Sequence, residues 1–261
     1  MKKKRKIFYA RYYRHLKVDL WKVFVFTLLF TAPILLICFI FMDDASRFVC
    51  NLGIKILADI FPGLPFNIDV TDFSIISKLY YIDLPVFYPS KYQIYGNIVV
   101  SVLIMLISMK KIWKGSPLTI YFFLNGTIHL VNSLYFLFAT YDFPVKAVTY
   151  SKLYMQQEAG IITIFLLLMG LCTAFVGNRN YLAKIMASLA VLIYSIVFGM
   201  TRYILFLYIL TKYSILYVSL MYFTIGPILD FVYFVMIYAA FINHMIKIFD
   251  STQERDLWEW S

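Results

Sequence analysis

Residues 182–241 read LAKIMASLAVLIYSIVFGMTRYILFLYILTKYSILYVSLMYFTIGPILDFVYFVMIYAAF. Two apolar runs, 185–210 and 214–241, make up nearly all of this stretch, and each exceeds the roughly 20 residues needed to cross a hydrocarbon core about 30 Å thick. The only charges inside them are Arg202, in Gly199-Met200-Thr201-Arg202-Tyr203, and Asp230, in Gly226-Pro227-Ile228-Leu229-Asp230. A guanidinium within hydrocarbon costs between about 2.5 and 17 kcal/mol, depending on how far it snorkels and how much water follows it. A residue that costly needs a partner or a task.

The rest of the chain has the same character. Of its 261 residues 62% are hydrophobic and only 15% charged, whereas soluble domains are about half apolar, so the solvent is lipid. The net charge of +10 is not spread as a nucleic-acid footprint. Nine Lys or Arg fall in the first 22 residues, directly ahead of an apolar run, as in a cytoplasmic flank. That run is too long for a signal peptide and has no small-residue cleavage site, so it reads as an uncleaved first span.

Six spans follow from the apolar runs: 23–41, 94–109, 118–139, 161–176, 185–210 and 214–241. The expected class is all-α, a polytopic membrane protein with about six transmembrane helices and an added interfacial helix. Its expected organisation is a basic segment 1–22, a single transmembrane domain 23–246 and a tail 247–261. With both termini in the cytoplasm, sixteen Lys or Arg lie inside and seven outside, the expected direction of bias at a plasma membrane.

Between the first two spans, residues 43–92 leave the bilayer on the outer side. Asp43, Arg47, Asn51, Lys55 and Asp59 recur every fourth residue, with Phe48, Val49, Leu52, Ile56 and Ile60 on the other side, which predicts an interfacial amphipathic helix. Phe61-Pro62-Gly63-Leu64-Pro65 ends it. Residues 66–92 carry Tyr80, Tyr81, Phe87, Tyr88 and Tyr92 with two prolines, a composition suited to a folded loop or short hairpin at headgroup level.

The third span places Asn125, His129 and Asn132 on one helical face, which predicts a hydrogen-bonded helix interface; His129 is also a candidate proton carrier. Arg202 lies about 13 Å in from the outer end of its span and Asp230 about 24 Å into the next, at 1.5 Å per residue. Direct pairing of the two therefore needs staggered or bent helices, and Gly226-Pro227 is the expected bend. Glu158, placed just outside the fourth span, is the other candidate partner.

Cys38, Cys50 and Cys172 have no metal-like spacing, and the sequence carries no Cys-x-x-Cys or His-x-x-x-His. Metal and cofactor chemistry are therefore not expected. No thiol stands beside a base, and no glycine loop suited to phosphate is present.

Three segments carry a resemblance: Gln157-Glu158-Ala159-Gly160 opening the fourth span, Arg202 late in the fifth, and Tyr222-Phe223-Thr224-Ile225-Gly226 in the sixth. Residues 150–241 resemble the exosortase and archaeosortase family, membrane transpeptidase-like proteins that travel with exopolysaccharide systems. In that family a segment ending Glu-Ala-Cys-Ser-Gly opens one span, an Arg lies late in the next, and a His followed by Gly opens the last. Only the Arg matches. Ala159 or Gly160 stands where the family has its thiol, and an uncharged residue near Tyr222 where it has its imidazole. The resemblance therefore implies a non-catalytic accessory subunit of a membrane-embedded glycosyltransferase, a cellulose-type polysaccharide synthase, with the lipid bilayer as its other partner and no nucleic acid. The rival readings are an active transpeptidase or acyltransferase using Arg202, and a small transporter with Asp230 and His129 in a proton path.

Overall fold

The structure, a computed structural model, describes residues 14–16, 19–85, 87–109, 116–139, 146–176, 180–252 and 258–260. Most of the basic N-terminal segment, together with Lys110, Lys111, Lys114, Asp142 and Arg179, lies outside the described residues. Helix dominates: α1 is Leu20–Ile40, α2 Met42–Ile60, α3 Lys91–Ser108, α4 Pro117–Ala139, α5 Ala147–Ala174, α6 Tyr181–Lys212 and α7 Gly226–Thr252. Among the described residues six helical stretches are long and apolar enough to cross a membrane: α1, α3, α4, α5, α6 and the last, Ile215–Ile248, which includes most of α7. The chain is a polytopic all-α membrane protein.

Two compact units divide the chain. The first comprises 1–35, 164–192 and 234–261. Its short strands β1 (Arg14–Leu16) and β4 (Trp258–Trp260) pair antiparallel. Within it the start of α1 packs Val23, Phe26 and Phe30 with Ala174 of α5. Gly170 of α5 meets Thr31 so closely that a Cβ there would lie 2.3 Å from the Thr31 hydroxyl.

The second unit, 36–163 with 193–233, holds the main core. Here α2 carries three faces rather than the two expected. Arg47, Asn51, Lys55 and Asp59 are exposed, and so are Phe48, Ile56 and Ile60, while Met42, Ser46, Cys50, Gly53 and Leu57 are buried. Gly53 is small for a reason: a Cβ there would lie 3.0 Å from the Ile82 side chain. The turn after α2 uses Gly63 at φ 94°, a left-handed backbone open to glycine at little cost.

Residues 67–83 form the hairpin, with β2 (Asn67–Asp72) antiparallel to β3 (Lys78–Asp83) and Ile68 opposite Ile82. Backbone donors on the free edge of β3 find partners outside the sheet. Lys78 N–H donates to Asp43 at 2.6 Å, Tyr80 N–H to Ser46 at 3.1 Å, and Ile82 N–H to the Tyr203 hydroxyl at 2.9 Å. The hairpin is thus fastened to α2 and α6 along its length.

Helix ends differ from the sequence reading by several residues, and by most ahead of the fourth span. The segment 140–160 is not a loop throughout, because α5 already starts at Ala147. Residues 147–159 hold no proline or glycine and are rich in Lys, Leu, Met, Gln and Glu, all good helix formers, so the helix extends through the charges that hydropathy alone excludes.

Candidate functional site

The last span does not start as a regular helix. A 3-10 turn (Ile215–Tyr217), one α turn (Val218–Leu220) and a π turn (Met221–Ile225) lead into α7. The Gly226 N–H reaches back five residues to the Met221 carbonyl. The next N–H in that wider register would come from residue 227, and proline has none, so the Tyr222 carbonyl needs another donor. Gln157 of α5 supplies it through Nε2 at 3.4 Å.

Arg202 of α6 enters this junction. Its Nη1 donates to Asp230 at 2.7 Å and also to the Gly226 carbonyl, while its Nη2 donates to Glu158. All three ionic residues are buried, with Arg202 3%, Glu158 6% and Asp230 1% exposed. The guanidinium also lies 5.6 Å from the Tyr154 ring and 5.8 Å from that of Phe198, within cation–π range. The expected difficulty of pairing Arg202 with Asp230 is therefore corrected. Helical side chains lean toward the N-terminus of their own helix, so in antiparallel neighbours these two lean toward each other, and the long arginine covers the remaining offset.

Glu158 is corrected too, since it sits in the twelfth position of α5 rather than beyond a span end. Its carboxylate fits because its neighbour on α6 is Gly199: a Cβ there would lie 2.6 Å from Oε2. A cavity of about 50 Å³ opens beside Glu158, lined also by Ser46, Leu79, Ser195, Gly199 and Tyr203. Next to the ion cluster, Tyr154 Oη, Gln157 Oε1 and Arg202 Nε are buried without a hydrogen-bond partner. Tyr154 was not singled out by the sequence, and Gln157 entered only as the first residue of the segment opening the fourth span; its role here becomes legible once the missing proline N–H is counted.

The polar face of α4 is a separate feature. Asn97 of α3 donates to Ser133 at 2.7 Å and lies 3.2 Å from His129 Nδ1, and Asn132 donates to the Leu216 carbonyl. These bonds tie α4 to α3 and to the lead-in of the last span. Asn125 departs from the expected pattern, because its amide donates to Tyr121 O within α4 at 2.7 Å. His129 meets Asn97 through its ring Nδ1 and the Tyr217 ring edge-on, with centroids 6.0 Å apart.

Among the described residues no group of three or more His, Cys, Asp or Glu is placed to hold a metal ion. Comparison with protein-family models, with curated proteins and with solved structures finds no match.

Proposed function

We propose that this chain is a non-catalytic, exosortase-like accessory subunit of a membrane-embedded exopolysaccharide synthase, seated in the plasma membrane with both termini in the cytoplasm. The observation that carries the reading is the closure of Arg202 on two carboxylates and a backbone carbonyl within the protein. An arginine that stabilises an oxyanion has to offer its donors to a substrate. Here both terminal nitrogens are already engaged.

Residues of the three segments that carry the resemblance meet at this junction: Gln157 and Glu158 from the first, Arg202, and the Tyr222 and Gly226 carbonyls from the last. The meeting supports kinship in layout, while the residue types at the positions of the thiol and the imidazole speak against the family's proteolysis. A scaffold of that kind acts through its surfaces. The hairpin and the exposed faces of α3 and α4 are the surfaces it offers to a synthase and to the emerging polymer.

The test is affinity purification of the tagged protein from its native membrane, combined with polymer assay in a deletion strain. The expected result is recovery of a glycosyltransferase and loss of polymer, with both restored by a Cys38, Cys50, Cys172 triple alanine variant. Normal polymer output in the deletion strain would sink the proposal.

A further inference from the structure

We infer that the Glu158–Arg202–Asp230 cluster is a binding site for one monovalent cation, either a proton or an alkali-metal ion. The argument begins with charge. Two carboxylates face one guanidinium, so the cluster carries a formal charge of −1 inside a core where its members are 1–6% exposed. Leaving a net charge in such surroundings costs several kcal/mol. One bound cation removes the cost.

Neighbouring groups do not supply it. Against the cluster lie Tyr154 and Gln157 from α5, Phe198 and Gly199 from α6, Tyr222 and Gly226 from the last span, and Tyr233 from α7, whose hydroxyl bonds Ser195 at 2.7 Å. Among the described residues the only basic side chain paired with Glu158 or Asp230 is Arg202.

A second observation points the same way. Tyr154 is fully buried and its hydroxyl is unpartnered, as is Gln157 Oε1, and both are beside the cluster. Two unspent oxygens next to surplus negative charge are ligands for a hard monovalent ion or acceptors for a hydrated proton, and the unspent Arg202 Nε–H beside them is a donor for the water that such a cation carries. Two carboxylates, rather than three or four, suit a single charge.

The inference does not depend on the proposed function. Its test uses the purified full-length protein in lipid nanodiscs, with two readouts on the unaltered chain. Infrared spectroscopy in heavy and light water looks for the C=O stretch of a protonated carboxyl group. Thermal unfolding is measured at fixed pH and ionic strength in lithium, sodium, potassium or choline chloride. A protonated-carboxyl band establishes the proton. Stabilisation by one alkali ion over choline, with a tenfold shift in the unfolding equilibrium for each tenfold rise in that ion above its dissociation constant, establishes the metal ion. Either signal should vanish in Glu158→Gln or Asp230→Asn. A band or a salt effect that persists in both variants overturns the assignment to this cluster, and absence of both signals in the unaltered protein overturns the site itself.

Discussion

Arg202 donates to Asp230 at 2.7 Å across 28 residues of chain, joining α6 to α7 at a point where both side chains are buried. Removing the arginine alone leaves two carboxylates facing each other in the core. Breaking one side of a buried ion pair costs about 3–5 kcal/mol, far more than the pair contributes relative to apolar replacements. Arg202→Met should therefore lower stability by that order in detergent unfolding experiments, and the triple variant Arg202→Met, Glu158→Gln, Asp230→Leu should recover much of the loss. Equal stability of the single and triple variants would contradict the ionic account.

The six spans are legible from sequence because lipid requires each crossing helix to be apolar for most of its length, and that demand is visible residue by residue. Contacts across the spans are not. Counting 1.5 Å per residue places Arg202 and Asp230 at different depths, yet the count leaves out the direction in which helical side chains lean. Glu158 is misplaced for a related reason: a charge is taken as the end of a span, when a buried partner on α6 lets the helix carry it inside. Asn125 sits on the same face as His129 and Asn132, but spacing cannot say whether an amide bonds across helices or back to its own carbonyls. The third, docking face of α2 is hidden because Ser46, Cys50 and Gly53 do not look like core residues until the hairpin is laid on them.

Gly199 and Glu158 form a matched pair. A methyl group at 199 would stand 2.6 Å from the Glu158 carboxylate, so Gly199→Ala forces the carboxylate off Arg202 or moves α6. Overpacking of this kind costs about 1–3 kcal/mol. Gly160 and Gly96 serve as controls, since a Cβ at either meets nothing within 4 Å, and alanine there should be neutral or stabilise the helix by about 0.5–1 kcal/mol. Thermal unfolding of the three variants checks the contrast. Equal effects at all three positions would remove the steric argument.

Gln157 and Pro227 are coupled through the Tyr222 carbonyl. In the native chain Gln157→Leu leaves that part-buried carbonyl without its donor, a loss of about 0.5–1.5 kcal/mol. Pro227→Ala restores a backbone N–H in the register that reaches residue 222. The cost of Gln157→Leu should therefore shrink by at least half in the Pro227→Ala background. A double-mutant cycle on unfolding free energies measures this directly, and strict additivity would show that the glutamine has another role.

Cys50 offers a test of α2 docking that leaves the fold intact. The thiol is fully buried on the face of α2 that packs into the core, and burial pushes its pKa up to about 12. Thiolate is the form that reacts with maleimides, so at neutral pH both exclusion and protonation protect this residue. A chain with Cys38 and Cys172 replaced by alanine should stay unlabelled by a small maleimide for as long as α2 stays docked, and should label fully in denaturant. Tyr203→Phe removes the hydroxyl that accepts the Ile82 N–H and bonds Ser151 at 2.8 Å, which loosens the hairpin above Cys50. That variant should raise the labelling rate at Cys50 by about tenfold if the freed N–H costs roughly 1.4 kcal/mol of local stability. An unchanged rate would mean that the hairpin does not hold α2 against the core.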